Sequence, residues 1–240
     1  MTREDGRAFH ELRPVTITTG FVKFAEGSCL IRCGDTMVLC CASVEEKTPP
    51  HVPCGEGWVT AESSRLPRAN RERSRRDVAK LKLSPRSAEI QRLVGRSLRA
   101  AVDLKKLGER TITVDCDVLQ GDGGTRTASV TGGFVALALA CRKLVEEGVL
   151  GASPIRHAVT GVSAGIVEDT ALLDLRYSED SRAQVDLNCV MNERGELIEI
   201  QGTGEGRAFS PAEQQELVRL CAKGCKELLA VQKEALGGRL

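Results

Sequence analysis

The first half of the chain alternates between short strand-like segments and longer segments with helical periodicity. Alternating apolar and polar positions predict strands at residues 14–18, 21–26, 28–32, 36–43, 58–61 and 111–119. The first four of these are close together and predict an antiparallel meander. Residues 85–104 have apolar positions near helical spacing, and residues 125–147 stay apolar until Gly148. We therefore expect one sheet with helices packed on it.

The second half repeats the order of strands followed by a helix. Its strand-like segments are residues 157–163, 164–167, 170–177, 183–191 and 197–203, with a hairpin turn at 192–196. Ser210, Pro211 and Glu213 form a capping-box signal for a final helix. The pattern predicts an α+β fold of two similar β-rich lobes with helices packed on one side, residues 1–150 and 151–240.

Composition places the chain among ordinary globular proteins, with 240 residues, 41% hydrophobic and 28% charged, and a net charge of +1. Its ten cysteines contain no C-x-x-C pair, which favours reduced, buried thiols over zinc ligands. Three scattered histidines give no support to a hydrolase triad. No run of about 18 apolar residues is evident, and residues 1–7 are too charged for a secretory signal. We expect a cytoplasmic protein with no membrane contact.

Two predicted helix starts each carry an arginine. Gly123 and Gly124 lead into a helix through Thr125 and Arg126, an arrangement that leaves backbone N–H groups free to bind an anion. A tight turn with Thr125 as N-cap is the alternative. Arg86 follows an N-cap serine and a proline, and an arginine there opposes the helix dipole unless an anion or acid is near.

The two starts together suggest a shared phosphate-like anion. An ion pair between either arginine and a nearby acid such as Glu89 stays open as the other interpretation.

A basic segment lies between these elements. Residues 62–82 hold eight basic residues against three acidic ones, a local excess of five positive charges. A basic loop of this kind favours binding of RNA or DNA over a merely solvated loop when Arg86 is its neighbour.

Two aspartates follow in the second lobe. Alternation from Gln184 places Asp186 and Asn188 on one strand face, and Asp180 lies at the preceding turn. Carboxylates so arranged can hold Mg²⁺, although aspartates near turns are more often turn formers or solvated strand residues.

Several long motifs resemble the ribonuclease PH family in the same order along almost the whole chain. These motifs are residues 11–15, 57–62, 66–69, 89–100, 107–111, 123–129 and 201–203. The resemblance implies a phosphorolytic 3′-to-5′ exoribonuclease that trims nucleotides beyond the CCA end of transfer RNA precursors and other RNA 3′ ends. It also implies the reverse reaction, the addition of nucleotides, and a hexameric ring of three dimers.

The resemblance also implies roles for individual residues. Inorganic phosphate, the co-substrate, would be bound by Arg86, Gly124, Thr125 and Arg126. Asp180 and Asp186 would be the catalytic pair that binds Mg²⁺. The RNA-binding residues would be Arg68, Arg73 and Arg76.

The chain departs from the family pattern at five positions near these motifs. Ser63 and Arg65 stand where an aromatic and an apolar residue are usual, Pro85 replaces a glycine, and Gly121 and Gly204 replace alanines. Affinity for phosphate or RNA is expected to differ as a result. Two alternatives remain: a catalytically silent RNA-binding ring subunit, and a hydrolytic nuclease that releases nucleoside monophosphates. A P-loop is less favoured because the lysine it requires is absent.

Overall fold

The computed structural model describes residues 2–76 and 84–238. The first half contains strands β1 (Val15–Thr19), β2 (Gly27–Cys33), β3 (Thr36–Glu45), β4 (Trp58–Arg65) and β5 (Thr111–Gln120), and helices α1 (Pro85–Ala100), α2 (Leu104–Leu107) and α3 (Thr125–Glu146). The second half contains β6 (Val159–Val167), β7 (Thr170–Leu173), α4 (Tyr177–Asp180), β8 (Val185–Asn192), β9 (Leu197–Gly204) and α5 (Pro211–Ala235). The predicted α+β class is confirmed.

The first sheet has the strand order β1-β2-β3-β5-β4. Its first three strands and β5 pair antiparallel, whereas β4 lies parallel to β5 because α1 and α2 carry the chain back across the sheet. The predicted strand at 21–26 is wrong. The Ser28 hydroxyl accepts from the Val22 N–H at 2.9 Å and bonds the Val22 carbonyl at 3.1 Å, so this backbone is satisfied in a loop.

The second sheet is antiparallel throughout, in the order β7-β6-β8-β9. The two strands predicted at 157–163 and 164–167 are one strand, β6, which begins at Val159. The predicted strand at 170–177 ends at Leu173, because Asp174 adopts a left-handed conformation with φ 52° and turns the chain into α4. The final helix begins at the predicted capping box of Ser210 and Glu213.

Helix α3 packs between the two sheets. It contacts β2, β3 and β5 on one side and β6 on the other, while α5 covers the second sheet. By length and composition alone α3 could cross a membrane, which corrects the expectation that no such run exists; 72% of its most apolar window is buried within the fold. Burial against two sheets therefore explains why this helix is apolar nearly all round.

The ten cysteines are all free thiols, and eight of them are buried. Burial raises the pKa of Cys141 to about 12, so this thiol stays protonated at neutral pH. The eight buried cysteines thus act as small apolar side chains of the core, as the sequence predicted for most of the ten.

Candidate active site

A cavity of about 370 Å³ lies where the two lobes meet. It is lined by the loop before α3, the first turn of α1, the end of β4, helix α4 and strand β8. Six residues singled out from the sequence line it together: Arg86, Gly124, Thr125, Arg126, Asp180 and Asp186. The two arginines therefore share one cavity with the two aspartates.

The glycine pair shapes the cavity for two different reasons. Gly123 has φ 81°, and a Cβ at this position would overlap the Leu175 carbonyl, so its lack of a side chain lets the two lobes approach. Gly124 has φ 65° and is itself the N-cap of α3, with no side-chain cap. The alternative with Thr125 as N-cap is therefore wrong. The first N–H groups of α3 remain available to an anion.

The two arginines differ in their surroundings. Arg86 is exposed in the first turn of α1, whose N-cap is Ser84 as predicted, and it has no ion pair with a described residue. Arg126 donates to Glu89 at 3.0 Å and to Gln201 at 2.8 Å. The ion-pair alternative thus applies to Arg126, whose guanidinium is held by these two residues at the edge of the cavity.

The acidic pair lies opposite the arginines. Burial raises the pKa of Asp180, although Arg86 and Arg126 act against this shift. Burial and the neighbouring charge of Asp180 raise the pKa of Asp186 to about 6. Asn188 donates to both Asp186 oxygens at 3.4 Å and orients that carboxylate. Two carboxylates that repel each other in a half-buried site favour a bound cation.

The donor set suits Mg²⁺ better than a metal bound entirely by protein. Among residues 2–76 and 84–238, no group of three or more His, Cys, Asp or Glu side chains is arranged to hold a metal. Mg²⁺ commonly takes one or two carboxylates and fills its other positions with water and substrate phosphate oxygens. Asp180 and Asp186 meet this need.

None of the three predicted RNA-binding arginines lines this cavity. Arg68, Arg73 and Arg76 are all exposed. Arg73 lines a neighbouring cavity of about 610 Å³ that also includes Tyr177, a residue at the edge of the first cavity. The rest of the basic segment, residues 77–82, lies outside the described residues.

A buried network of arginines holds the site together, and sequence reasoning missed it. Arg13 bonds both oxygens of Asp174 and donates to the Asp122 carbonyl at 2.5 Å, next to the glycine pair. Arg3 donates to both oxygens of Glu179, at 2.8 and 2.7 Å, beside Asp180. The only signal in the sequence was the motif at 11–15. These charges fix the loop before α3 and helix α4 relative to each other.

Sequence reasoning also missed two polar residues within the cavity itself. Ser163 on β6 is buried, and its hydroxyl has no hydrogen-bond partner among the described residues. Glu205 adds a third negative charge and contributes to raising the pKa of Asp186. Neither residue carries a local pattern that separates it from ordinary strand or loop positions.

Known protein families agree with this geometry. A model of the 3′ exoribonuclease family, domain 1, matches residues 11–143, and the domain 2 model matches residues 157–235. A protein named Ribonuclease PH from Moorella thermoacetica is 52% identical over 99% of this chain and 95% of its own length. Its namesake from Syntrophomonas wolfei is 52% identical over 99% of this chain and 100% of its own length.

The chain belongs to the ribonuclease PH family. It is accordingly a phosphorolytic 3′-to-5′ exoribonuclease. This activity differs from both alternatives drawn from the sequence, a catalytically silent ring subunit and a hydrolytic nuclease.

Solved structures share the ribonuclease PH fold. Rice Rrp46 superposes with a TM-score of 0.80 at 18% identity, covering 98% of this chain and 100% of that one, which shows the fold alone. An Archaeoglobus fulgidus exosome with RNA bound to the active site gives a TM-score of 0.79 at 25% identity, covering 95% and 92%.

Proposed function

We propose that this exoribonuclease trims nucleotides beyond the CCA end of transfer RNA precursors and other RNA 3′ ends, with inorganic phosphate as co-substrate. It releases nucleoside diphosphates, and it adds nucleotides to RNA 3′ ends in the reverse direction. The observation that carries the proposal is the single cavity in which Arg86 and Arg126 face Asp180 and Asp186. The arginines can bind a phosphate nucleophile, and the aspartates can bind a metal ion. Because both pairs line one cavity, they can act on the same phosphorus atom of the RNA.

Inorganic phosphate would be bound and oriented by Arg86, Gly124, Thr125 and Arg126, together with the first backbone N–H groups of α3. Attack in line with the scissile bond joins a phosphate oxygen to the terminal phosphorus and breaks its bond to the 3′-oxygen of the preceding nucleotide. The proton of the attacking phosphate ends on that 3′-oxygen. Asp186 in its ionised form would accept this proton and pass it to the 3′-oxygen. Most of the rate enhancement then comes from orientation and charge stabilisation.

Asp180 and Asp186 would hold Mg²⁺ against the scissile phosphate. Bound there, the ion would supply positive charge to offset the negative charge that develops on the phosphoryl oxygens. Holding the ion requires both carboxylates to be ionised, which links activity to the raised pKa of Asp186.

The basic loop and the assembly complete the proposal. Arg68, Arg73 and Arg76 would bind backbone phosphates of the RNA next to the cavity, and Tyr177, whose ring is half exposed at its edge, would stack on a base. A neighbour of this fold is an exosome with RNA bound to its active site, which supports an RNA substrate. We further propose a cytoplasmic hexameric ring of three dimers.

The decisive experiment uses a transfer RNA with extra nucleotides beyond CCA and reads the released products directly. We expect nucleoside diphosphates only when phosphate is added, and shortening that stops at the CCA end. Nucleoside monophosphates released without phosphate would overturn the mechanism. Continued shortening through the CCA sequence would overturn the proposed substrate.

A variant identifies the phosphate site. Arg126→Ala should lower kcat/KM for phosphate at least about 100-fold, or about 2.7 kcal/mol. Arg219→Ala removes an exposed arginine paired with Glu216 on α5 and is the matched control, with no expected effect. Equal phosphate dependence in both variants would remove Arg126 from the site.

Light scattering of the purified protein, which measures its molar mass in solution, tests the proposed hexamer.

A further inference from the structure

Arg65, the last residue of β4, reaches into the active-site cavity. Its guanidinium donates to the Asn70 side-chain oxygen at 3.0 Å and to the Thr125 hydroxyl at 3.3 Å. Thr125 is the first residue of α3, directly after the glycine pair. The Arg65 guanidinium is thus held beside the loop to which the proposed function assigns phosphate.

Gly121 lies beside both residues that Arg65 bonds. A Cβ on Gly121 would lie 3.3 Å from Thr125 Cγ2, a tight contact, and 3.7 Å from Asn70 Oδ1, an ordinary van der Waals contact. The glycine thus leaves Thr125 slightly more space than an alanine would.

The charge of Arg65 is not neutralised by the protein. It has no ion pair with a carboxylate among residues 2–76 and 84–238, and both of its described partners are neutral. Burial and the nearby Arg86 guanidinium lower the pKa of Arg65, yet an arginine remains charged at neutral pH. Two unpaired like charges in one half-buried cavity cost free energy in the empty site, and a bound anion removes that cost.

We propose that Arg65 is a third arginine of the phosphate site, which binds the inorganic phosphate co-substrate together with Arg86 and Arg126. This inference rests on the proposed function and adds a residue to it. Arg65 offers charged donors that a neutral residue lacks, and the same donors would bind the terminal phosphate of a nucleoside diphosphate in the reverse reaction.

The position of Arg65 favours inorganic phosphate over a backbone phosphate of the RNA. It bonds Thr125 at the start of α3 and lies near Arg86, and among the described residues neither contact is found for the exposed RNA-binding candidate Arg73, although both arginines line the neighbouring cavity. RNA backbone and inorganic phosphate share one chemistry, so the measurement must separate them. Apparent KM values for phosphate and for RNA do so.

The test compares Arg65→Met with Arg219→Met, the control on α5, in the full chain. We expect Arg65→Met to raise KM for phosphate about tenfold, which corresponds to about 1.4 kcal/mol, with KM for RNA unchanged. Arg65→Lys should recover part of this loss, because it keeps the charge but not the planar donor pair. An unchanged KM for phosphate, or a rise in KM for RNA alone, would overturn the assignment.

Thermal unfolding separates phosphate binding from a structural role. Without phosphate, Arg65→Met should unfold at the same temperature as the wild type or higher, because its repulsion with Arg86 is gone. The rise in unfolding temperature that phosphate causes should be smaller in the variant. A lower unfolding temperature with an undiminished phosphate effect would mean that Arg65 only supports Thr125.

The outcomes also separate this inference from the proposed function. A wild-type enzyme that needs phosphate, with an Arg65→Met variant of unchanged phosphate KM, contradicts the role of Arg65 alone. A wild-type enzyme that releases nucleoside monophosphates without phosphate contradicts the proposed function itself.

Discussion

Replacing Asp186 by asparagine should stabilise the fold while abolishing activity. The pKa of Asp186 is raised from 3.8 to about 6, chiefly by burial and then by Asp180, so folding disfavours its charged form. A shift of this size corresponds to about 3 kcal/mol at pH 8, as an upper bound. Asparagine has nearly the same shape and carries no charge. Its side-chain oxygen can still accept from Asn188.

The effect has a defined pH dependence. Below about pH 3.8 the carboxyl is protonated in both the folded and unfolded states, so its stabilising neutral form is fully present. As the pH rises through about 6, the folded protein must ionise Asp186 and loses that stability. The advantage of Asp186→Asn should therefore be small at pH 4 and largest at pH 8.

Thermal unfolding in a chelating buffer at pH 4 and pH 8 measures this advantage. For a chain of this length we expect an increase of up to about 6 to 12 °C at pH 8. Added Mg²⁺ should raise the unfolding temperature of the wild type and not that of the variant. The control is Asp35→Asn, at an exposed turn between β2 and β3. A destabilised Asp186→Asn at pH 8, or an equal gain at both pH values, would refute the reasoning.

Three further expectations test other parts of the site. Gly123→Ala should destabilise the protein by about 2 kcal/mol or more in urea unfolding, since φ is 81° and the Cβ overlaps the second lobe, whereas Gly121→Ala should cost far less. Asp174→Asn leaves Arg13 buried without its anion and should cost about 3 to 5 kcal/mol, whereas no loss of stability would show that the network contributes little. The kcat/KM of the wild type at subsaturating Mg²⁺ should rise as the pH passes about 6 and Asp186 ionises, and a flat profile from pH 5 to 7 would contradict a need for its charge.

Local signals were sufficient for the parts of the site that depend on one stretch of chain. Three helix starts could be predicted in this way, because each depends only on hydrogen bonds among a few neighbouring backbone groups. They are the glycine pair before α3, the serine cap before Arg86 and the capping box of α5, and the structure contains all three. The family motifs then predicted that Arg86, Arg126, Asp180 and Asp186 belong to one active site, and these residues line one cavity.

Only the tertiary structure decided which distant groups meet. Glu89 is three residues from Arg86 in the sequence, which made it a candidate partner for that arginine. In the structure Glu89 instead accepts from Arg126 on α3, which also donates to Gln201 on β9. No local pattern predicts that Arg65 reaches Thr125, 60 residues away. A hydrophobic pattern records which face of an element is buried, but not which element covers it. The partner of a charged group therefore depends on packing between elements, which no single segment of the sequence contains.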